Sequence, residues 1–373
     1  MKIAMLTYSM RPRGGVVHAV NLAEALSKCG DEIHLFSLRR SDEADSETGF
    51  YRSTAVPTTV IDFDWYPETR ERLDSMVDSL VNSLPRDFDI YHAQDCVCDR
   101  ALQILTGKGE IAPPTVRTVH HIEGFSDRYL NDCEQGALLG DTVKITVSRY
   151  WHDILKKEHE QESEVVYNGI DASKFEYRPS MDRKGFILFV GGMEGRKGLE
   201  FVIEALEMLH RRGRPLRLVA VAKPGFRRVE TIDWFDHLVE RCGLGGSVEI
   251  MESVDDREIV KLYQDAGIFI LPTRMEGWGL AIMEAMAAGC PVITSPVGGI
   301  NELVKDGENG LLVNVGDVKG IADAAERVLT DDLLRARLIE KGRKTIDRYT
   351  WENAAKKTLD IYSGIITARE SRN

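Results

Sequence analysis

Short apolar runs alternate with amphipathic helical stretches along the whole of this 373-residue sequence. The first pair is an apolar run at Lys2–Tyr8 and a helical pattern at Val16–Cys29, which Gly30 ends. Apolar runs of this length, repeated between helices, are typical of parallel strands that helices cover on both faces. The sequence therefore predicts the α/β class, with parallel sheets.

The alternation also divides the sequence into two halves. In the first half it predicts further strands at Ile33–Leu38, Thr58–Phe63, Ile90–Ala93, Thr115–His120 and Val143–Ser148, and helices at Arg70–Leu84 and Arg149–Glu158. It is interrupted at Tyr167–Pro179, where turn-forming residues lead into a predicted linker at Arg178–Ser180. In the second half it predicts strands at Phe186–Gly191, Arg217–Val221, Val248–Met251, Ile268–Leu271, Pro291–Thr294 and Leu311–Val313, with helices at Leu199–Arg212 and over most of Ile321–Ile366. We therefore expect two α/β halves with a ligand cleft between them, at the carboxyl ends of both sheets.

The amino-acid composition limits which classes of partner and which cellular compartment we expect. The 60 acidic and 48 basic residues give a net charge of −12, which disfavours a nucleic-acid backbone or an anionic lipid surface. Basic residues near the first helix are too few to support a lipid-bound acceptor or peripheral membrane contact: Arg11, Arg13, Lys28, Arg39 and Arg40. Six cysteines without a C-x-x-C pair indicate reduced thiols. With no signal peptide or membrane-spanning run in the sequence, we expect a cytoplasmic protein without a transmembrane segment.

Two carboxylates in the second half stand eight residues apart, Glu276 in a glycine-rich turn and Glu284 inside an apolar helix. At about 1.5 Å of rise per residue they lie up to roughly 12 Å apart, enough to hold hydroxyls at both ends of a nucleotide sugar. A carboxylate with apolar neighbours such as Ile282 and Met283 needs a partner. The alternative is a helix-surface glutamate paired with a nearby lysine or arginine.

Two glycine-containing loops are candidates for binding an anion. The loop from Gly191 and Gly192 to Arg196 and Lys197 lies between a strand and a helix, and its cations suit a diphosphate. The alternative is a solvated turn, and either way we expect both cations to be exposed. The turn that ends in Gly14-Gly15 also opens a helix, so its backbone N–H groups can approach an anion, unless it is simply a flexible turn. Neither loop has the spacing of a P-loop or of a nicotinamide-cofactor site.

His120 and His121 end a predicted strand, where a polar side chain faces the ligand crevice of a parallel sheet. The alternative for His120 is a hydrogen-bonded core histidine.

Metal binding has weaker support. Asp62 and Asp64 follow a strand and could hold a divalent ion on a diphosphate, whereas His92 with Cys96 and Cys98 lacks a fourth zinc ligand at a standard spacing.

In this order the motifs resemble those of the retaining glycosyltransferases of family 4, which have the two-Rossmann (GT-B) architecture and include glycogen-synthase-like, mannosyl- and glucosyltransferases. The motifs that carry the resemblance are Gly14-Gly15, Thr118-Val119-His120, Val166–Asp171, Phe189–Gly191, Arg196–Gly198, Glu276–Glu284 and Pro291–Gly310. Two positions depart from the family pattern. Gly192 stands where many members have arginine, so Arg196 is expected to supply that cation, and His121 next to His120 leaves a second candidate for the catalytic-site histidine.

The resemblance implies transfer of a glycosyl group from a nucleotide diphospho-sugar to an acceptor hydroxyl, with retention of configuration and without a metal or other cofactor. It implies an acceptor domain at 1–170, a donor domain at 171–348 and a tail helix at 349–373 that packs back on the first domain. The two halves should hinge and close, bringing His120 to the donor. The implied catalytic residues are His120, Arg196, Lys197 and Glu276, and the implied donor-binding residues are Gly191, Gly192, Arg196, Lys197, Glu276, Gly277, Trp278, Gly279, Leu280 and Glu284. Gly14 and Gly15 are the implied acceptor or phosphate loop.

Other functions explain less of the pattern. A nucleotide-sugar epimerase shares the architecture but not the pattern around Glu276–Glu284, and a phosphorylase of this shape needs a longer chain and a pyridoxal lysine. A metal-dependent, single-domain transferase rests only on Asp62 and Asp64. A non-catalytic carbohydrate-binding or scaffold protein would not need the complete set of charged residues. We therefore expect a glycosyltransferase whose sugar, base and acceptor the sequence does not specify.

Overall fold

The computed structural model describes residues 1–371 except 12, 44–53, 123, 126, 176, 178–184, 224–227 and 253. The predicted linker at Arg178–Ser180 lies outside these residues. The chain divides into two compact units: unit 1 comprises Met1–Gly169 and Trp351–Asn373, and unit 2 comprises Ile170–Thr350. The backbone therefore passes from one unit to the other at two places.

Unit 1 is built on a parallel sheet. Its elements before the crossing are β1 Lys2–Thr7, α1 Gly14–Lys28, β2 Glu32–Arg40, β3 Thr58–Phe63, α2 Thr69–Ser83, β4 Ile90–Ala93, α3 Cys96–Gly107, β5 Val116–Val119, α4 Arg128–Leu139, β6 Val143–Thr146, α5 Arg149–His159 and β7 Glu164–Val165. Within the described residues the strand order is β3-β2-β1-β4-β5-β6-β7. The order reverses direction between β1 and β4, so the loops that follow these two strands diverge and leave a crevice.

The sheet of unit 1 separates two apolar clusters because successive strand residues point to opposite faces. From β1, Ala4 and Leu6 pack with α2 and α3 on one face, whereas Ile3 and Met5 pack with α1 on the other. Burial of both faces explains why the strands appear in the sequence as continuous apolar runs.

Unit 2 repeats the same plan. Its elements are β8 Phe186–Gly192, α6 Leu199–Arg211, β9 Arg217–Lys223, α7 Arg228–Arg241, β10 Val248–Met251, α8 Asp256–Asp265, β11 Ile268–Leu271, α9 Leu280–Ala287, β12 Val292–Thr294, α10 Ile300–Leu303, β13 Leu311–Leu312, α11 Val318–Thr330 and α12 Asp332–Ile346. In the described part of the unit the strand order is β10-β9-β8-β11-β12-β13, and all the strand pairs are parallel. Here the order reverses between β8 and β11, which confirms the predicted α/β class for both halves.

The last helix, α13 (Trp351–Glu370), belongs to unit 1. Its Ala355 and Tyr362 join the apolar cluster of α1, and the Tyr362 hydroxyl is 2.6 Å from Nδ1 of His92. Near the end of the helix, Arg369 donates hydrogen bonds to the carbonyls of Asp89 and Ala112. The predicted return of the C-terminal helix to the N-terminal domain is thus confirmed. Across the described ranges, none of the helices combines the length and the hydropathy that a bilayer crossing demands.

Candidate functional site

The two predicted donor loops follow the neighbouring strands at the point where the sheet of unit 2 reverses direction. Gly191 and Gly192 end β8, and a short 3-10 turn at Gly195–Lys197 leads into α6. Glu276 follows β11, in the loop that leads into α9. Because β8 and β11 are paired, the cations of one loop and the carboxylates of the other are brought to the same edge of the sheet.

Lys197 and Glu276, predicted from separate motifs, form an ion pair. Lys197 Nζ is 2.6 Å from Glu276 Oε2, and each side chain is only 15% exposed. Arg196 pairs with Glu194 at 2.9 Å and is 37% exposed. The prediction that both cations lie in an exposed turn is therefore right for Arg196 and wrong for Lys197, which the loop after β11 covers.

Arg274, which the sequence analysis missed, holds this cationic turn in place. Its backbone N–H donates to the carbonyl of Arg196 at 2.7 Å, and the Thr273 hydroxyl donates to the same carbonyl at 2.9 Å. The Arg274 guanidinium pairs with Glu200 of α6 at 2.6 Å and lies 4.3 Å from the centre of the Phe201 ring. No spacing rule marks such a residue, because its partners are more than seventy positions away in the sequence.

Glycines shape the loop that carries Glu276. Gly279 has a φ of +96° and begins α9, and Gly298 has a φ of +52°. A Cβ on Gly298 would overlap the carbonyl oxygen of Glu276, and the N–H of Gly299 donates to that same oxygen at 3.3 Å. The backbone at Glu276 is therefore held by a close approach that only glycine permits.

Trp278 and Leu280, in the same loop, were both implied donor-binding residues. The Trp278 ring is 1% exposed, packs edge-on against Tyr349 at 5.0 Å between centroids, and donates from Nε1 to the sulfur of Met283. Leu280 is half-buried at the first position of α9, and Gly277 is half-buried beside Glu276. The indole of Trp278 therefore belongs to the core of unit 2, so its backbone, rather than its ring, is suited to contact a ligand.

Glu284, on α9, has a tyrosine as its partner. The hydroxyl of Tyr263 donates to Glu284 Oε2 at 2.8 Å. Tyr263 is fully buried, and this burial, followed by the charge of Glu284, raises the pKa of its phenol well above the ordinary value. The carboxylate therefore has the polar partner that its apolar surroundings require, and a buried tyrosine supplies it.

In unit 1, His120 follows β5 and lies beside the glycine loop. Its Nε2 is 3.0 Å from Oε1 of Gln94, and its ring meets that of His18 edge-on at 4.8 Å between centroids. A Cβ on Gly15 would be 3.2 Å from Cδ2 of His120, whereas one on Gly14 would meet nothing within 4 Å. Gly15 and His120, predicted from distant motifs, are therefore neighbours. His121 is exposed.

The histidines around His120 are buried and neutral. His18, 2% exposed, is 2.9 Å from Oδ1 of Asn168 through Nδ1, and burial lowers its pKa to about 4. His92 is bonded to Tyr362 and Thr118, and burial lowers its pKa to about 3. Burial, with the neighbouring histidines, also lowers the pKa of His120 well below the ordinary value. His18 and Gln94 were not predicted from the sequence, although the position of His18 one helical turn after Gly14-Gly15 was an available signal.

The candidate metal ligands have other partners. Asp62 pairs with Arg39 at 2.7 Å, and Asp64 accepts a hydrogen bond from Ser41. Cys96 and Cys98 are buried free thiols. Among the described residues, no three histidine, cysteine, aspartate or glutamate side chains come together in a way that could hold a metal ion.

Comparison with known proteins places these features in one family. The model of "Glycosyltransferase Family 4" matches residues 12–174, and that of "Glycosyl transferases group 1" matches residues 172–345. An uncharacterized glycosyltransferase of Methanocaldococcus jannaschii is 28% identical over 97% of this chain and 98% of its own length. A D-inositol 3-phosphate glycosyltransferase of Corynebacterium urealyticum is 25% identical over 99% of this chain and 97% of its own length.

The crystal structure of HepE of Anabaena in complex with UDP-glucose has a TM-score of 0.83 at 18% identity, and the match covers 98% of this chain and all of that one. That likeness establishes the fold, and the matching families establish the class of enzyme. The two family matches meet at the first crossing between the units and together span most of the chain. The chain therefore belongs to the family 4 type of glycosyltransferases, transferases with the GT-B fold.

Proposed function

We propose that this enzyme transfers a glycosyl group from a nucleotide diphospho-sugar to an acceptor hydroxyl, with retention of anomeric configuration and without a metal ion. The observation that carries the proposal is the ion pair between Lys197 and Glu276, in the loops that follow the paired strands β8 and β11. Arg196 lies in the first of these loops, and Glu284 lies on α9, which follows the second. In this arrangement cations stand where a diphosphate would lie, and carboxylates stand where sugar hydroxyls would lie. UDP-glucose in the related fold of HepE supports a UDP-sugar as the first donor to test.

The helix ends support the same assignment. The N-cap residues of α1, α6 and α9 are Arg13, Gly198 and Gly279, and none of them caps its helix with a side-chain hydrogen bond. Helices elsewhere are capped by an aspartate or serine: α3, α4, α5, α8, α11 and α12. Uncapped backbone N–H groups favour an anion, and for α6 they adjoin Arg196 and Lys197. α2 and the short α10 also lack a side-chain cap, so the cations rather than the helix end distinguish α6.

The chemistry follows from charge. As the bond between the anomeric carbon and the diphosphate breaks, negative charge grows on the leaving oxygen. The acceptor oxygen bonds to that carbon, and its proton passes to the leaving diphosphate oxygen. Arg196, Lys197 and the N-terminus of α6 stabilise this charge more strongly in the transition state than in the bound donor. Glu276 holds hydroxyls of the transferred sugar, and Glu284 holds those of the ribose. His120 acts as a neutral hydrogen-bonding group at the donor's anomeric region.

The decisive experiment begins with donor binding. Calorimetry of the full chain with UDP-, ADP- and GDP-sugars, each with a chelator present, should find one that binds. Hydrolysis of that donor without an acceptor should then proceed slowly, and His120→Ala should lose this turnover while it retains donor affinity. Lys319→Ala, which removes an exposed lysine that pairs with Asp323, is the control.

Three results would contradict parts of the proposal. Epimerisation of the sugar without glycosyl transfer would indicate an epimerase. Binding of the nucleotide sugar without turnover would indicate a carbohydrate-binding protein. Activity that chelation abolishes and manganese restores would make Asp62 and Asp64 candidate metal ligands again. We also propose a reducing compartment such as the cytoplasm, because six cysteines in 373 residues, without a C-x-x-C pair, are too sparse for a disulfide scaffold.

A further inference from the structure

We propose that Tyr263 is a positioning residue for Glu284 and that it sets the enzyme's preference for a ribonucleotide over a deoxyribonucleotide donor. The inference rests on the proposed function in one respect, the contact of Glu284 with the ribose hydroxyls. Tyr263 itself belongs to none of the motifs that led to that function. It lies in α8, and the tertiary fold alone brings it to α9.

The ring of Tyr263 has a fixed place in the core of unit 2. It packs against Phe269 of β11 at 5.6 Å between centroids and edge-on against Phe175 at 6.1 Å. The side chain is 0% exposed, so its hydroxyl cannot turn to solvent. Within the described residues, that hydroxyl donates to Glu284 Oε2 at 2.8 Å. A rigid aromatic side chain therefore presents one donor to one carboxylate oxygen.

This hydrogen bond orients the Glu284 carboxylate but does not use all of its acceptor sites. A carboxylate has about four acceptor sites, so the bond from Tyr263 constrains the Glu284 carboxylate while it occupies only one of those sites. A glutamate side chain otherwise loses rotamer freedom when it binds a ligand, and holding it beforehand reduces that loss. Burial keeps the Tyr263 phenol protonated by raising its pKa, so it remains a donor at every pH at which the enzyme would work.

The geometry of the pair predicts a specific loss in Tyr263→Phe. The phenyl ring preserves the packing on Phe269 and Phe175, and only the hydrogen bond disappears. Glu284 then loses the constraint that this hydrogen bond places on its carboxylate, and its hold on the ribose weakens. We expect affinity for the ribonucleoside diphosphate to fall about 5- to 10-fold, while affinity for the 2′-deoxy and 3′-deoxy analogues changes less than about twofold.

The experiment is calorimetry on the full chain with UDP, ADP and GDP, followed by the 2′-deoxy and 3′-deoxy forms of whichever binds best. Four proteins are compared: wild type, Tyr263→Phe, Glu284→Gln and the double variant. If Tyr263 acts through Glu284, the Tyr263 change should cost less than about twofold once Glu284 has been replaced. Tyr91→Phe is the matched control, because Tyr91 is a buried tyrosine of unit 1 whose hydroxyl donates to the carbonyl of Pro85.

The outcomes separate this inference from the proposed function. If Glu284→Gln weakens binding but Tyr263→Phe changes neither affinity nor the ratio of ribo to deoxy affinity, the inference is overturned and the function stands. An equal loss for ribo and deoxy forms in Tyr263→Phe also overturns it, because a general loss of packing would explain that result. If none of the three nucleoside diphosphates binds the wild type, the proposed function itself fails.

Discussion

Replacing Gly198 by alanine tests whether backbone geometry holds the phosphate turn. Gly198 has a φ of +73° and is the residue from which α6 begins. A Cβ there would overlap the carbonyl oxygen of Pro272 and would be 3.1 Å from Cδ2 of Phe201. Gly195, three residues earlier in the same turn, meets nothing within 4 Å and does not have a positive φ, so Gly195→Ala is the matched control.

The free-energy cost has two parts. Alanine in the left-handed region costs about 1–2 kcal/mol. Overlap with a backbone carbonyl that cannot move freely costs about 1–3 kcal/mol, as in other overpacked sites. A gain of about 0.4–1 kcal/mol from restricting the unfolded chain offsets part of this. We therefore expect Gly198→Ala to lower the unfolding free energy of unit 2 by about 1–4.5 kcal/mol, and Gly195→Ala to leave it the same or slightly higher.

Urea unfolding of the full chain, with hydrogen exchange measured on peptides from β8 and α6, reports on unit 2 separately from unit 1. The nucleoside diphosphate affinity of Gly198→Ala should fall as well, because Arg196 and Lys197 are carried by the displaced turn. If Gly198→Ala and Gly195→Ala agree within about 0.5 kcal/mol, the positive φ and the contact with Pro272 do not hold the turn, and the reasoning fails.

Three further predictions concern the charged and histidine clusters. Lys197→Met should weaken nucleoside diphosphate binding at least about tenfold by calorimetry. It should also lower the unfolding free energy in urea by ~1–3 kcal/mol, because Glu276, whose side chain is 15% exposed, loses its partner. Lys319→Met, which breaks an exposed pair, should lower it by under about 0.5 kcal/mol, and equal losses in the two variants would argue against the Lys197–Glu276 pair. Burial lowers the pKa of His18 from 6.5 to about 4, so the unfolded chain binds the proton more readily than the folded chain. About 3 kcal/mol of stability, complete above pH 6.5, should therefore be lost as the pH falls toward 4. His18→Gln should remove this part of the pH dependence and leave the part due to His92, whereas the exposed His237→Gln should remove none of it. Gly15→Ala should force the His120 ring to move by a few tenths of an ångström, and should lower turnover about tenfold without changing nucleotide affinity. Gly364→Ala is the control, because a Cβ at Gly364 would meet nothing within 4 Å, and equal turnover in the two variants would show that the contact with His120 is unimportant.

The sequence predicts the strands of this fold well because most of them carry apolar residues that are buried in a parallel sheet. The predictions for Thr58–Phe63 and Ile90–Ala93 agree with β3 and β4 to the residue. β4 is buried along its whole length, whereas β3, at the end of the strand order, buries only Ile61 and Phe63, which share one face.

Two helices of unit 1 were not predicted, α3 and α4. In α4 the periodic pattern is obscured because a charged residue, Glu134, occupies an inward position, where it pairs with the buried Arg117 at 2.6 Å. In α3 the apolar face was present, but two cysteines and Asp99 near its start are also buried. Buried polar side chains therefore hid helices that burial of apolar residues alone would have revealed.

The candidate site was only partly predictable for a similar reason. The motifs located Lys197, Glu276, Glu284 and His120, which stand in recognisable glycine-rich or strand-end contexts. Their supporting residues, Tyr263, Arg274 and Gln94, come from other elements and contact them only through the tertiary fold. Spacing in a single sequence carries no signal of such contacts.

The division of unit 1 between the two ends of the chain has a consequence for how the protein is made. Unit 2 is a continuous segment, Ile170–Thr350, so all of it has been synthesised before any of α13 exists. Until the 20 residues of α13 follow, the apolar surface of α1 lacks its cover and His92 lacks the Tyr362 hydroxyl. Unit 2 can therefore complete its fold first, while unit 1 remains incomplete and exposes apolar surface that favours aggregation. Expression of a chain truncated after Thr350 should consequently yield insoluble protein even though unit 2 is intact.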